Sequence, residues 1–505
     1  MIIYISKDAF VKSTLSIKKF FKVINSKTGV FCMFKKIRVR FAPSPTGFMH
    51  LGNIRAALFN YLFAQQKKAN FVLRIEDTDA SRNVDEAVFK IIQDLKWLKL
   101  RYSEGPIVGG QSGPYNQSER TSIYQQHLEG LILSQKVYRC FCSQEDLEKK
   151  RLDQIAKKLP PRYDRTCLNL SDDHIKQKIA FGKKFIWRFK VDTQKIVEIN
   201  TLERGVLKFD LKNFSDFALT RQDESFTFLF ANFVDDWLMK ISHVIRGEDH
   251  LTNTAMQAAL FDTLAIPVPT FWHLPMICNK EGKKMSKRDF GFSLDDLKKA
   301  GFLPEAICNY LATIGGSFKE EVQSVKELSR NFDFNNIHAT GSIKYDVEKL
   351  TWFNHKWISR LTLDKVVARA KPFLLQEFPE CKKLSEEKLS FFIEKIKDEI
   401  KTLNEVPKLL AFCFEDPKTN KKEIEEKVGA EKTKIALKLI KANVKHIEDV
   451  DLFLDTLKKE AKEQELKIKE IFSPIRYLLT GTFKGLGMHD ILEMLTKEQV
   501  ISRLK

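Results

Sequence analysis

Ile37-Arg38-Val39-Arg40-Phe41-Ala42-Pro43-Ser44-Pro45-Thr46-Gly47-Phe48-Met49-His50-Leu51-Gly52-Asn53, with the run Ile54-Arg55-Ala56-Ala57-Leu58-Phe59-Asn60-Tyr61-Leu62 behind it, decides the fold class. The β-branched and aromatic residues over 37–41 read as a buried strand, the proline-rich stretch to Gly47 breaks it, and 54–62 reads as a helix. A second strand is expected over 71–75, then an amphipathic helix through Val88, Ile91, Ile92, Leu95 and Leu98. Strand, helix, strand, helix in succession argues for a parallel α/β sheet. A Gly/Pro-rich stretch from Gly105 to Pro114 ends this half, and residues 115–228 mix short helices and strands. The α/β pattern then resumes with a strand at Val244-Ile245-Arg246, a helix over 253–264 and a strand over 271–277, as one sheet interrupted by an insertion would. Farther on strand signals thin, Leu303, Ile307, Tyr310, Leu311 and Ile314 recur at helical spacing, and Lys/Glu-rich amphipathic segments continue to Lys505.

The 505-residue length exceeds a single compact core and fits about three to five domains. With 43% apolar and 30% charged residues the chain has the balance of a globular protein, not a disordered one. No apolar run reaches the roughly 18 residues that a membrane-spanning helix needs, so no membrane partner is expected. Basic residues exceed acidic ones by 85 to 66, a net +19 that suits a polyanionic partner. Lysine outnumbers arginine 64 to 21 and phenylalanine reaches 40, so compositional bias contributes to that charge. Eight cysteines in such a length form no disulfide framework and point to a reducing compartment; Cys32, Cys278, Cys308, Cys381 and Cys413 are scattered. Residues 1–32 carry six lysines, one acid (Asp8), four serines and no arginine. Two readings stay open for this basic extension (1–33): an over-extended start ahead of Met33, and an organellar presequence. The first leaves a cytoplasmic protein, the second one of an organelle matrix.

Two motifs carry chemistry. His50 stands where the first strand meets the first helix, beyond the carboxyl end of a parallel strand, and an imidazole there can donate to a phosphate oxygen. Gly47 and Gly52 allow backbone to approach a nucleotide. The second motif, Lys283-Lys284-Met285-Ser286-Lys287-Arg288, places four cations in six residues between Gly282 and Gly291. Such a loop can close over a triphosphate and neutralise charge on departing pyrophosphate. Read singly, each has a bland alternative, a proline-stiffened turn and a solvated basic run. Together, each at a strand's carboxyl end, they point to one nucleotide site.

His50-Leu51-Gly52-Asn53 and Lys284-Met285-Ser286-Lys287-Arg288 resemble the two signature motifs of class I aminoacyl-tRNA synthetases. The stretches from Arg40 to Gly47, Arg74-Ile75-Glu76-Asp77-Thr78-Asp79 and Val244-Ile245-Arg246-Gly247-Glu248-Asp249-His250 resemble the bacterial-type glutamyl-tRNA synthetase family, from about residue 36 to the end. The resemblance implies a multidomain chain: a Rossmann-type α/β catalytic domain (34–114 and 229–277) with an inserted α+β acceptor-binding domain (115–228), then an all-α stem-contact domain (278–363) and a helical anticodon-binding region (364–505). It implies ATP-dependent ligation of L-glutamate to tRNA-Glu through glutamyl-adenylate, by a monomer. His50, Lys284 and Lys287 would be catalytic, and ATP would lie against Pro43, Ser44, Thr46, Gly47, His50, Gly52, Asn53, Lys284, Ser286 and Lys287. Mg²⁺ is expected with ATP on charge grounds.

Glutamate carries one ammonium and two carboxylates, so its pocket should present a fixed anion and at least one guanidinium fork. By resemblance, Arg40 and Arg246 match carboxylate-binding arginines, Glu76 matches the anion for the α-amino group, and Ala42, Ser44 and Asn232 match other substrate-contacting positions. The bland alternative for the two arginines is a buried ion pair with Glu76 or Asp249. Many relatives carry tyrosine where this chain has Phe228, so one hydroxyl contact to glutamate is missing. Cys140, Cys142 and Cys167 supply three thiols, and zinc takes four ligands. Some relatives use a tyrosine placed like Tyr163 as the fourth and others a histidine two residues past the last cysteine. Here that position is Asn169, a poor zinc ligand, which favours Tyr163 as the fourth; three cysteines this close rarely coincide by chance, which favours a structural Zn²⁺ site over three idle thiols. Three functional alternatives stay open: a non-discriminating enzyme that also charges tRNA-Gln, a tRNA-modifying paralogue, and an inactive tRNA-binding protein. The first draws on the absence of arginine in Lys397-Asp398-Glu399. The second is opposed by the 142 residues after Leu363, and the third by two intact motifs.

Overall fold

The computed structural model describes residues 36–78, 86–286, 289–337 and 341–505. The expectations placed on residues 1–32, Asp79, Lys287 and Arg288 lie outside the described residues. Two compact units divide the chain: residues up to Asp295 together with Cys308–Asp346, and Asp296–Ile307 together with Val347–Lys505.

The first unit is built on a six-stranded sheet. Strand β1 (Arg38–Phe41) lies beside β2 (Asn70–Leu73), with helix α1 (Leu51–Lys67) as the crossover and α2 (Ala87–Trp97) after β2. The insertion contributes β3 (Val137–Cys140), β4 (Ile186–Phe189), β5 (Ile196–Thr201), β6 (Gly205–Asp210) and β7 (Phe217–Ala218). Then follow α3 (Phe228–Leu238), β8 (His243–Gly247), α4 (Leu251–Thr263) and β9 (Thr270–Leu274). Sheet order is β2-β1-β8-β9-β5-β6, parallel except for the antiparallel β5–β6 hairpin at one edge. That hairpin comes from the insertion, whose strands β3, β4 and β7 form a small antiparallel sheet of their own. Strands covered on both faces read as apolar runs; Val39, Val72, Val244, Ile245, Phe271 and Trp272 are all buried.

Helix α1 starts at Leu51, ahead of the expected Ile54, because His50 caps it, and it ends with Lys68 in the left-handed conformation at φ 52°. The strand expected over 271–277 stops at Leu274, since Pro275 has no N–H for the ladder. Past it, β10 (Ile277–Cys278) turns away to pair in parallel with β11 (Ile343–Lys344). Strand β11 falls within a region expected to be all helix; two residues are too few to show in a periodicity.

The second unit is helical from Val347–Arg360 through Lys497–Leu504. Ile393, Ile396, Leu410, Ile440, Leu457 and Ile475 are buried in it. Its last helix is tied down by Arg503, whose guanidinium donates to the carbonyls of Phe412, Leu479 and Glu415 at 2.7–3.0 Å.

Candidate active site

The carboxyl ends of β1, β8 and β9 open onto a cavity of about 290 Å³, whose wall includes Arg40, Ala42, His50, Gly52, Asn53, Glu76, Phe228, Asn232, Arg246 and Lys284. A second cavity of about 250 Å³ shares Ala42, His50, Asn53, Glu76 and Phe228 with it and adds Pro43, Ser44, Thr46 and Gly47. Among the described residues expected at the site outside the cysteine cluster, only Ser286 is not on these walls. Lys287 is outside the described residues, and Ser286 is exposed, its N–H and Oγ both donating to Asp289 Oδ2.

His50 owes its position to the helix it starts. Its Nδ1 accepts from the Asn53 N–H and its own N–H donates to Asn53 Oδ1, each at 3.3 Å. Burial, and then the Lys284 ammonium, hold its pKa below 6.5. The ring is therefore neutral, and with Nδ1 accepting, its proton sits on Nε2 as a donor. Gly52 has a steric reason: a Cβ there would lie 3.0 Å from His50 Cε1. Gly47 adopts φ +133°, where only glycine is unstrained.

The basic loop meets this helix start directly. Leu51 N–H donates to Phe292 O at 3.2 Å and Leu294 N–H to Met49 O at 2.9 Å, bracketing the histidine from the far side of the loop. The loop begins as a hairpin, with Cys278 bridged to Lys284 and Gly282 at φ +79°. Met285 is buried and anchors it, whereas Lys284 stays exposed with Nζ 3.3 Å from Asp249 Oδ2. Two motifs 234 positions apart, His50 and Lys284, thus line one cavity.

Beneath them lies a buried charge network that the sequence reading missed. Arg74, fully buried, donates to Asp236 Oδ1 at 2.7 Å and Asn232 Oδ1 at 2.7 Å, and pairs with Glu76 at 3.4 Å and Asp235 at 3.6 Å. Arg120 Nε pairs with Asp235 at 2.6 Å, and Arg40 Nε with Asp236 at 3.2 Å. Arg40 is therefore in an ion pair, but with Asp236 and not with Glu76 or Asp249. Burial pushes Asp236 up, and Arg40 and Arg74 together bring it below the usual carboxylate range. Burial raises Glu76, opposed by Arg74 and Arg40. One signal could have shown this network: Asp235-Asp236 sits in the stretch 228–238, whose other residues are apolar apart from Asn232, and acids on such a helix are buried against cations.

Arg246 differs. Its Nη2 donates to Thr254 Oγ1 and to Gln257 Oε1 (2.9 Å), but Nε and Nη1 are buried with no partner. Burial, then Arg40, depress its pKa to about 9, leaving it protonated near neutrality. Unpaired guanidinium N–H groups beside a cavity fit an incoming carboxylate. Phe228, on the same wall, stacks on His250 with ring centroids 5.3 Å apart.

The cysteine cluster lies apart, where β3 ends in the insertion. The Sγ atoms of Cys140, Cys142 and Cys167 all lie within 4.8 Å of one another, Cys142 and Cys167 at 3.7 Å. Thiolates on a tetrahedral zinc, each about 2.3 Å from the metal, are about 3.8 Å apart. Tyr163 Oη is 3.2 Å from Cys140 Sγ and 3.7 Å from Cys142 Sγ. The donor set fits zinc.

Residues 36–352 match the family described as tRNA synthetases class I (E and Q), catalytic domain, and residues 365–505 match an anticodon binding domain family. The glutamate–tRNA ligase of Elusimicrobium minutum is 38% identical over 93% of this chain and 98% of its own. That of Bacillus subtilis is 34% identical over 94% and 100%. A crystal structure of a glutamate tRNA ligase from Elizabethkingia meningosepticum, in complex with its amino acid, superposes with a TM-score of 0.81 at 30% identity, covering 93% of this chain and 98% of that one. With the histidine start of α1 and the basic loop on one cavity, and both halves of the chain matched, this chain belongs to the glutamate–tRNA ligase family of class I tRNA synthetases.

Proposed function

We propose that the chain joins L-glutamate to ATP as glutamyl-adenylate and then esterifies the 3′-terminal adenosine of tRNA-Glu. The observation that carries this reading is the cavity lined by His50, Lys284 and Arg246, the last with two guanidinium nitrogens, Nε and Nη1, that have no hydrogen-bond partner in the protein. In the first step a glutamate carboxylate oxygen attacks the α-phosphate and pyrophosphate leaves. No protein nucleophile is required; the work is positioning and charge neutralisation. Arg246 and Arg40 hold carboxylate, Glu76 receives the α-ammonium, and His50 Nε2–H donates to phosphate oxygen. Lys284, held loosely by exposed Asp249, follows the departing pyrophosphate together with Lys287. Mg²⁺ accompanying ATP would supply further neutralisation, and Asp249, a carboxylate of the cavity wall, would be available to hold it.

The anticodon-domain match and the +19 charge support tRNA as the partner. The paralogue that lacks an anticodon domain is not favoured, because this chain spans 98% of its relative's length. Charging of tRNA-Gln as well is raised only by the lack of arginine in Lys397-Asp398-Glu399 and is the lesser reading. Action in the cytoplasm as a monomer belongs to the same reading as tRNA-Glu charging, and no described cysteine is disulfide-bonded. Zinc held by Cys140, Cys142, Cys167 and Tyr163 would brace the insertion; Arg188, 4.1 Å above the Tyr163 ring, offsets the excess negative charge of such a site.

The test is charging of purified tRNA-Glu and tRNA-Gln with labelled glutamate, alongside glutamate-dependent ATP–pyrophosphate exchange with tRNA present. Both reactions are expected. Absence of exchange under those conditions overturns the reading.

A further inference from the structure

Three guanidiniums, Arg40, Arg74 and Arg120, are matched by three carboxylates, Glu76, Asp235 and Asp236, within one ion-paired network. Arg246 is buried next to this network and makes no salt bridge among the described residues. Its side-chain partners, Thr254 and Gln257 on α4, are neutral and essentially inaccessible, at 0% and 1% exposure. Guanidinium has donors only, so Gln257 must turn its carbonyl oxygen to Arg246. Its amide Nε2 is left buried without a partner, so its lost hydration is not made up by any protein hydrogen bond. A carboxylate there would bind Arg246 more strongly and leave no orphan amide. It would also cancel the charge.

We propose that Gln257, with Thr254, is a positioning pair that sets the preference for glutamate over glutamine, by fixing Arg246 through neutral acceptors that leave its charge and two of its donors for the substrate. The network behind it is internally balanced, so the surplus positive charge belongs to Arg246. Glutamate, with a net charge of −1, compensates it; glutamine, with a net charge of zero, does not. This rests on the function proposed above, and it extends that reading to residues that touch no substrate.

The test is calorimetric titration of the full-length protein with glutamate and with glutamine, which reads binding without requiring turnover. Wild type should bind glutamate more tightly. In Gln257→Glu the ratio of the two Kd values should fall by about tenfold or more, through weaker glutamate binding. Gln257→Met keeps the volume and loses the acceptor, and should lower the ratio by about threefold to tenfold. A merely structural role would weaken both ligands together and leave the ratio fixed. A ratio within about twofold of wild type in either folded variant overturns the proposal, as does equal binding of the two amino acids by wild type. A wild type that binds glutamate selectively yet charges no tRNA strikes the proposed function and leaves this inference standing.

Discussion

His273 illustrates how one buried residue ties the pocket to pH. Its ring is wholly buried, Nε2 is 2.8 Å from Thr254 Oγ1, and burial followed by Arg246 lowers its pKa to about 3. An unfolded histidine titrates near 6.5. Below that pH the unfolded chain takes a proton that the folded chain refuses, so this contribution to stability falls as pH drops from about 6.5 toward 3 and is constant above it. At pH 5 the loss is on the order of 2 kcal/mol. His273→Gln keeps a partner for Thr254 and removes the titration, so its urea midpoint should fall less than that of wild type between pH 7 and pH 5. Equal falls would show that other groups carry the dependence. Arg40, Glu76 and Arg246 stand out in the sequence because each lies at or just past a strand's carboxyl end, and the cavity wall brings them together with Asn232 from the interior of α3. Arg74, Asp235 and Gln257 were not assigned, because their importance lies in which side chain each one meets.

At the start of helix α1 a structural role and a proposed chemical one meet at a single position. His50 caps the helix and lines the cavity, and two substitutions separate capping from the proposed donation by Nε2–H. His50→Ala should lower stability by about 1 kcal/mol and adenylate formation by about 100-fold. His50→Asn restores a capping acceptor without the reaching donor, so its melting temperature should return toward wild type while activity does not. Recovery of both would assign His50 to the helix alone. In the insertion, the last residue of β3, Cys140, and Cys142 just beyond it come within reach of Cys167 and Tyr163. Native mass spectrometry of the purified chain should show one added zinc, lost in Cys142→Ser, with a lower melting temperature after chelation. A metal-free mass for protein purified with zinc present would leave the cluster as reduced thiols.

Across the whole molecule, the alternation of strands and helices and the two motifs were enough to place a parallel sheet with a nucleotide site at its carboxyl edge. Both depend on local rules: side-chain periodicity, proline breaks, and a histidine at a helix start. The edge hairpin β5–β6, the Leu274 stop and the two-residue pair β10–β11 were less legible, because strand pairing is a long-range choice that short segments do not encode. The family likewise came from motif residues alone, since those residue types at those spacings answer to the chemistry of a triphosphate and a dicarboxylic amino acid. Only the tertiary structure decided which cations would be neutralised. Arg40 and Arg246 look equivalent in the chain, yet folding sets Asp236 against the first and two neutral side chains against the second. The physical reason is that a buried charge is governed by whatever lies within a few ångströms, and those neighbours come from strands and helices far apart in sequence.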